Sequence, residues 1–232
     1  MKILLGIIIL FMQSLPFPGP GGVSNAGVTM TVVQHPKNTS CGGTGTCIVT
    51  TSATTAGNLL LVISAAYSPT LRTYTLASGD GTWTHCPASA TSVLSGATHL
   101  YADCAYILSA TGGATAITWT WNSTVSAQNV EVIEVSRSSG SWVYDTGGTN
   151  TSAGCSSCTA VALSLSGTND YITQFGELNS TPSAISSPYT SPADFTAIGA
   201  LFAGAKQTSS GTAPTVTQGS STQASFGAAA FK

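Results

Sequence analysis

The amino-acid sequence predicts an all-β protein, an antiparallel two-sheet β-sandwich that is jelly-roll-like. Its apolar stretches are short or alternate with polar residues at a period of two, and no segment has the period of an amphipathic helix. Polar, glycine-rich turns separate these stretches, for example at 79–81, 111–113, 138–140 and 146–148. Many short strands joined by such turns are typical of a two-sheet sandwich.

The clearest strand prediction is the continuous apolar run at 58–67, bounded by Gly57 and Pro69. Its composition is typical of a central strand that is covered on both faces. The segment 99–108 alternates instead, so we expect only one of its faces to be apolar. The stretch 178–194 contains three prolines and is expected to be a long surface loop. Further strands are predicted at 28–34, 47–52, 73–77, 116–122, 128–136, 159–165, 170–176, 196–204 and 222–231.

Two tryptophans, Trp119 and Trp121, stand one residue apart in the predicted strand 116–122. On a strand they share a face with Ile117, whereas polar residues occupy the other face. The pair could be a platform that stacks on a sugar ring, or it could be the inner face of a sheet. The apolar neighbour favours the inner face, because aromatic side chains contribute much of the buried area of a core.

Charged residues make up only 6% of the chain, whereas 42% of its residues are hydrophobic. An ordinary soluble protein has roughly 25% charged residues. The hydrophobic content excludes a typical disordered chain. A formal net charge of -2 with six Lys and Arg residues leaves no basic patch for nucleic acid. A hydroxyl-rich surface with little self-repulsion suits a protein that is glycosylated, anchored or packed against its own kind, or one adapted to acid or salt.

The N-terminus predicts export. Lys2 precedes an apolar run at 3–12, which is shorter than the roughly 20 residues that span a bilayer. We expect residues 1–26 to be a cleaved signal peptide with a Pro/Gly leader, and residues 27–232 to form a single β-sandwich domain. The alternative is a retained apolar tail that anchors the protein or inserts into a neighbouring subunit. The expected location is therefore outside the cell or at its surface, without a stable membrane span.

Six cysteines lie in three local pairs, as expected of a protein in an oxidising compartment. Sequence alone does not choose among the possible pairings, but closeness along the chain favours nearest neighbours. These pairs are Cys41 with Cys47, Cys86 with Cys104, and Cys155 with Cys158. A redox motif at 155–158 would need a βαβ context that is not visible, and the spacing matches no common structural zinc site. Disulfides are therefore the preferred interpretation.

Four segments, in this order, resemble a β-sandwich module that recurs in secreted and surface proteins of bacteria. They are TTAGNLLLV at 54–62, GDGTW at 79–83, VIEV at 132–135 and AAAFK at 228–232. The resemblance extends from about Val28 to the end of the sequence. It implies a generic extracellular scaffold, often fused to other extracellular modules, without assigned catalytic residues. The cysteine-rich segments lie outside the pattern and are expected to be loop additions.

Candidates for catalysis are few. A glycosidase needs two carboxylates about 5–10 Å apart across a cleft. Glu131 and Glu134 are the only close pair, but three residues apart on a strand they project to opposite faces. One of them must therefore lie on a largely apolar face or at a bulge. Such a group is either paired, for example with Arg72 or Arg137, or tuned for a function. A hydrolase or lyase hypothesis would rest on these two residues and Glu177.

We predict no cofactor and no metal site. The histidines lack metal-ligand spacing, and the sequence contains neither a serine-hydrolase elbow nor a phosphate-binding loop. Structural calcium is conceivable where the turn 79–81 meets Asp103 or Asp145. However, acidic residues do not cluster in any one stretch, and Asp-Gly is first of all a turn signal.

The preferred interpretation is a non-enzymatic extracellular structural or adhesive protein, such as a self-assembling surface or filament subunit. Charged residues are the usual protection of a sheet edge against pairing with another molecule, and this chain has few. Self-association by strand addition is therefore the expected mode of assembly. The retained apolar segment, if it is not removed, is a candidate for the donated strand.

The alternative is a carbohydrate-binding module that binds surface glycans through exposed aromatic rings. Its candidate stacking residues are Trp83, Trp142, Tyr74 and Tyr144. The chain also has four sequons for N-linked glycans, three of which are expected in loops where attachment is possible. These three are Asn38, Asn150 and Asn179.

Overall fold

The computed structural model describes residues 27–86, 91–167, 169–186, 189, 200–208 and 210–232, with the backbone alone described at 91–95 and 200–208. The predicted signal peptide and leader lie outside the described residues. Every regular element in the described part of the chain is a β-strand, so the predicted all-β class is confirmed. The fifteen strands are β1 (Met30–Gln34), β2 (Lys37–Asn38), β3 (Thr46–Thr50), β4 (Leu59–Ser68), β5 (Tyr74–Ala77), β6 (Thr84–His85), β7 (Thr91–Ser95), β8 (Thr98–Ile107), β9 (Ala116–Trp121), β10 (Ala127–Arg137), β11 (Tyr144–Thr159), β12 (Asp170–Leu178), β13 (Pro182–Ile185), β14 (Ala200–Thr208) and β15 (Thr215–Phe231).

The strands form three antiparallel sheets. The seven-stranded sheet A has the order β1-β10-β4-β8-β6, with β2 also paired to β10 and β7 to β8. The three-stranded sheet B has the order β3-β9-β5. The five-stranded sheet C has the order β11-β15-β12-β14, with β13 also paired to β15. Sheets A and C form the predicted sandwich, and sheet B is a third layer that the sequence analysis did not anticipate.

Sheet A is the central layer, because both of its faces are covered. On one face Leu61 of β4 shares a core cluster with Phe231 of sheet C. On the other face the adjacent residue, Val62, shares a cluster with Trp119 of sheet B. The prediction that the run at 58–67 is a central strand covered on both sides is therefore confirmed.

The tryptophan pair of β9 faces inward, against sheet A. Trp119 is fully buried and Trp121 is 2% exposed. The ring of Tyr74 stacks on Trp119 with the ring centroids 3.9 Å apart, and it meets Trp121 edge-on at 5.4 Å. The inner-face interpretation of this pair is confirmed, and a sugar platform at these two residues is excluded.

The outer face of sheet C is covered by an irregular segment, 160–165, where the sequence had predicted a strand. Val161 and Leu163 pack there in one cluster with Phe226. The amide of Gln174 fixes the segment, since its Oε1 accepts the Val161 N–H at 3.2 Å and its Nε2 donates to the Val161 carbonyl at 2.7 Å. A single buried glutamine thus supplies hydrogen bonds that a neighbouring strand would otherwise provide.

Strand β11 is the largest departure from the sequence prediction. The turn expected at 146–148 and the loop addition expected at 155–158 both lie within this 16-residue strand. Its sequence has no apolar period, and its order comes from antiparallel pairing with β15 along most of its length. Part of the long loop expected at 178–194 is likewise a strand, β13, which pairs with the same partner.

Three disulfides join the nearest-neighbour pairs that the sequence favoured. They are Cys41–Cys47, Cys86–Cys104 and Cys155–Cys158. Disulfides form and persist in oxidising environments, such as the outside of a cell. Among the described residues there is no helix that is long and apolar enough to cross a membrane.

Candidate functional site

Almost all acidic side chains in the described part of the chain are turned inward. Six acidic residues are at most 2% exposed, and the side chain of a seventh, Asp145, is 1% exposed. The six are Asp80, Asp103, Glu131, Glu134, Asp170 and Glu177. The eighth acidic residue of the sequence, Asp194, lies outside the described residues. The described surface is therefore almost free of negative charge.

The carboxylate of Glu134 binds the loop that precedes β4. Its Oε1 accepts hydrogen bonds from the Thr55 N–H at 2.8 Å and from Asn58 Nδ2 at 2.6 Å. Gln34 Nε2 donates to the other oxygen. Neutral donors therefore satisfy this buried carboxylate, and an arginine, the partner suggested for one of the two glutamates, is not among them.

Asp80 binds the same loop from the other side. Its Oδ1 accepts hydrogen bonds from Thr54 Oγ1 at 2.6 Å and from the Gly112 N–H at 3.1 Å. Gly112 has a φ of +86°, and a Cβ there would lie 2.7 Å from the Ala56 nitrogen, so glycine is required at this position. We call Asp80, Glu134 and the loop 54–58 the loop clamp.

The loop clamp gives a structural reason for three of the four segments that resemble the secreted module. Segment 54–62 supplies the loop and β4, segment 79–83 supplies Asp80, and segment 132–135 supplies Glu134. The resemblance itself stays a prediction, but the side chains in these segments hold loops together. They do not line a cleft.

The three glutamates of the hydrolase hypothesis lie in separate surroundings. Glu131 and Glu134 project to opposite faces of sheet A, and Glu131 contacts Nε2 of His35. Glu177 lies on β12 of sheet C, where complete burial raises its pKa well above the usual range. All three are at most 2% exposed, so none of them presents its carboxyl to solvent.

Two of the predicted stacking residues are buried, so the expectation that they are exposed is wrong. Trp142 is 5% exposed, and the guanidinium of Arg137 lies over its ring, 5.1 Å from the centroid. Tyr74 is 8% exposed and donates its hydroxyl to Asp103 Oδ1 at 2.7 Å. Burial, with the charge of Asp103, raises the pKa of Tyr74 above its usual range. Neither ring offers a free face to a sugar.

The other two stacking candidates are half-buried. Trp83 packs against the small cluster that contains Leu60 and Ile107 and against the cluster that contains Tyr74. Tyr144 stacks on Tyr106 with the ring centroids 5.4 Å apart, in the cluster that contains Trp142. The four candidate rings are thus divided between core clusters on the two faces of sheet A and do not form a shared platform.

Two of the three sequons expected in loops lie in strands. Asn38 is in β2 and donates Nδ2 to the Ile48 carbonyl at 2.8 Å. Asn150 is in β11 and donates Nδ2 to the Thr159 carbonyl at 3.0 Å. A glycan on either nitrogen would have to replace that hydrogen bond. Asn179 is exposed and directly follows β12.

The turn at 79–81 shows no grouping of calcium ligands. Asp80 is fully buried, and its Oδ1 binds the two donors of the loop clamp. In the described part of the chain, no three His, Cys, Asp or Glu side chains come close enough together to hold a metal ion.

A pocket of about 400 Å³ opens where the end of sheet A meets the first residues of sheet C. Its lining includes Met30, Arg137, Val143, Asn169, Asp170 and Lys232. Behind this lining Asp145 accepts hydrogen bonds from Lys232 Nζ at 2.9 Å and from the Ser166 N–H at 2.8 Å. The Ser166 hydroxyl also donates to this carboxylate. We call Asp145, Asp170 and Lys232 the corner triad.

The two carboxyls of the corner triad have opposite pKa shifts. Burial alone would raise the pKa of Asp145, but hydrogen bonds from Ser166 and Lys232 outweigh burial and hold the pKa well below its usual range. Burial, followed by the contact with Asp145 and its negative charge, raises the pKa of Asp170 to about 6. Of the two carboxyls, Asp170 is therefore the one that takes up a proton first as the pH falls.

The outer edge of β11 is a second candidate site, beside the corner triad, and the sequence did not predict it. Among the described strands β11 pairs with β15 alone, so it forms one edge of sheet C. From Thr146 to Ser152 it pairs with Ala230 to Ala224 without a register shift, and its edge is therefore regular. After Asp145 the strand contains no charged residue. Its composition, rich in Gly, Ser and Thr, gave no strand signal from which this edge could have been found.

Neither the protein-family models nor the curated proteins with which the chain was compared match it. What the protein does is therefore inferred from its own contacts and surfaces.

Proposed function

We propose that the protein is a non-enzymatic extracellular structural subunit that associates with other copies of itself by strand addition at the edge of β11. The observation that carries this proposal is the combination of a long, regular edge with the absence of charged residues along it. An edge strand presents a row of N–H and C=O groups to which another strand can bind.

The inward orientation of the acidic side chains supports the same proposal. Proteins keep sheet edges apart with charged side chains, prolines or bulges. Between Thr146 and Ser152 the edge has none of these, and Thr149 and Thr151 are exposed. With hardly any negative charge on the described surface, electrostatic repulsion between two copies is small.

The disulfides and the central position of sheet A suit a durable extracellular subunit. A disulfide limits the conformations of the unfolded chain and typically contributes about 2–4 kcal/mol of stability. Two of the three disulfides lie in the cores on either side of sheet A. The sandwich is thus held together while β11 remains available at one side of sheet C.

The test compares two variants with lysine on the edge, Thr149→Lys and Thr151→Lys, with two matched controls. The controls, Thr70→Lys and Ser123→Lys, place the same charge on exposed positions outside the strands. Sedimentation velocity and electron microscopy are carried out over a series of protein concentrations. The wild-type protein and both controls are expected to form oligomers or filaments, and the edge variants are expected to remain monomers.

Two outcomes would contradict the proposal. A wild-type protein that stays monomeric at the highest soluble concentration removes self-association altogether. Oligomers that persist equally in the edge variants and the controls show that another surface, and not β11, mediates assembly.

A further inference from the structure

The corner triad brings an amine and two buried carboxyls together. Backbone hydrogen bonds in both directions between Val143 and Lys232, at 2.7 and 2.9 Å, fix Lys232 beside the start of β11. A register shift between Tyr144 and Thr146 leaves Asp145 out of the regular pairing with β15. At this position Lys232 Nζ lies 2.9 Å from Asp145 Oδ1.

Burial excludes water from the carboxyls of this group. The side chain of Asp145 is 1% exposed and Asp170 is fully buried, whereas the side chain of Lys232 is 39% exposed. The Asp170 carboxyl lies close to Asp145 and Gly167, but neither of its oxygens has a hydrogen-bond partner of ordinary geometry. A Cβ at Gly167 would overlap the Asp170 carboxyl, so the chain passes close to this group and fixes its position.

We propose that the corner triad is a self-modification site, at which Lys232 Nζ and Asp145 Cγ become joined by an intramolecular amide bond with Asp170 as the proton-transfer residue. Holding two reacting groups at near-contact distance removes much of the entropic barrier to such a reaction. The reaction is a condensation and needs no oxidant, reductant or cofactor.

The proposed reaction moves protons among the three residues and releases one water. The ammonium of Lys232 first passes one proton to the Asp145 carboxylate, which leaves a neutral amine beside a neutral carboxylic acid. The low pKa of Asp145 makes this transfer the costly step of the reaction. The nitrogen lone pair attacks Cγ and forms a tetrahedral intermediate. Asp170 gives its proton to the departing hydroxyl and takes a proton from the nitrogen, so the C–O bond breaks, one water leaves and Asp170 ends protonated as it began. The raised pKa of Asp170, about 6, keeps part of it protonated near neutral pH.

The bond would join the start of β11 to the residue that follows β15. These two strands pair along almost their whole length, so a covalent link at one end would prevent them from separating under load. The link is a property of a single molecule. It can therefore be present or absent whether or not copies associate through the β11 edge, and the two proposals can fail independently.

The test is the intact mass of the full, secreted protein after reduction of its disulfides. The wild-type protein is expected to be lighter than its sequence by one water. Peptide mapping is expected to find the peptide with Lys232 linked to the peptide with Asp145. Lys232→Arg keeps the positive charge but cannot form the amide, so it is expected to have the full mass. Lys37→Arg, the control at an exposed lysine, is expected to keep the loss of water.

Two further variants separate chemistry from folding. Asp170→Asn is expected to have the full mass while keeping the native near-ultraviolet circular dichroism of the wild-type protein. Asp145→Asn is expected to lose ammonia in place of water, because its side chain carries a different leaving group. A wild-type protein of full mass overturns the proposal even if a variant fails to fold. A loss of water that maps to Asp80 and Gly81, where a succinimide can form, overturns it as well.

Discussion

Gly227 of β15 lies directly opposite Phe175 of β12, and the Phe175 ring occupies the space that a side chain at position 227 would need. The ring packs in the core between sheets A and C. A glycine beneath an aromatic ring on the neighbouring strand lets the ring lie flat against the sheet. The contact is one of the tightest in sheet C, and it leads to a direct prediction.

Gly227→Ala is expected to lower the free energy of unfolding by about 1–3 kcal/mol, because the added methyl group must displace Phe175 from a packed core. The matched control is Gly154→Ala, where the nearest atom to a new Cβ is Ser221 Oγ at 3.8 Å. The control is expected to change stability by less than about 0.5 kcal/mol. Urea unfolding with the disulfides intact measures both, and equal effects at the two positions would refute the packing interpretation.

The loop clamp predicts energetic coupling between Glu134 and Asn58. Glu134→Ala leaves the Asn58 amide and the Thr55 N–H without their acceptor, which is expected to cost about 1–3 kcal/mol per buried group. Asn58→Ala removes one of the donors. Because the two side chains contact each other, the double variant is expected to be less destabilised than the sum of the single variants, by about 0.5–3 kcal/mol. Additive effects in this double-mutant cycle would show that the hydrogen bond contributes nothing.

Glu177 predicts a pH dependence of stability. Its native pKa is raised by burial, so the folded protein retains a proton that the unfolded chain loses above its ordinary pKa of about 4.3. The free energy of unfolding therefore falls as the pH rises above that value, with a slope of up to about 1.4 kcal/mol per pH unit from this group. Below the ordinary pKa both states are protonated and Glu177 contributes no slope.

Glu177→Gln is expected to remove this slope, so that the variant gains stability relative to the wild-type protein as the pH rises from about 4 to 7. Other groups that titrate in this range are common to both proteins and cancel in the difference. Urea unfolding of both proteins at intervals across the range is the measurement. A difference that does not change with pH would mean that Glu177 is ionised in the native protein.

The parts of the fold that the sequence predicted are those with a clear apolar pattern. The run at 58–67 indicated a strand covered on both faces, and Ile117 beside the tryptophans indicated that they point inward. The apolar pattern of a strand could not show which sheet packs on it, because any apolar sheet surface could cover the same residues. Sheet B therefore went unpredicted as a separate layer, although all three of its strands, β3, β5 and β9, lie close to predicted segments.

The candidate site could not be predicted for a different reason. Asp145, Asp170 and Lys232 are far apart in the chain, and the register shift at Asp145 depends on pairing with β15. Trp142 is likewise buried in a core cluster with residues of β4 and β15, which are distant in the chain. A sequence pattern reports the local preference of a segment, whereas these features arise from contacts between distant segments.

The most direct test of the proposed assembly is hydrogen–deuterium exchange of the backbone amides of 146–152, measured at low and at high protein concentration. The alternate amides of this segment that bond to β15 are expected to be protected at both concentrations. Strand addition predicts that the other amides, which point away from β15, exchange quickly in the dilute monomer and become protected as the concentration rises. The amides of the paired segment 224–230, which lies inside sheet C, are expected to be protected at both concentrations. Exchange at 146–152 that stays equally fast in the concentrated protein would contradict the account.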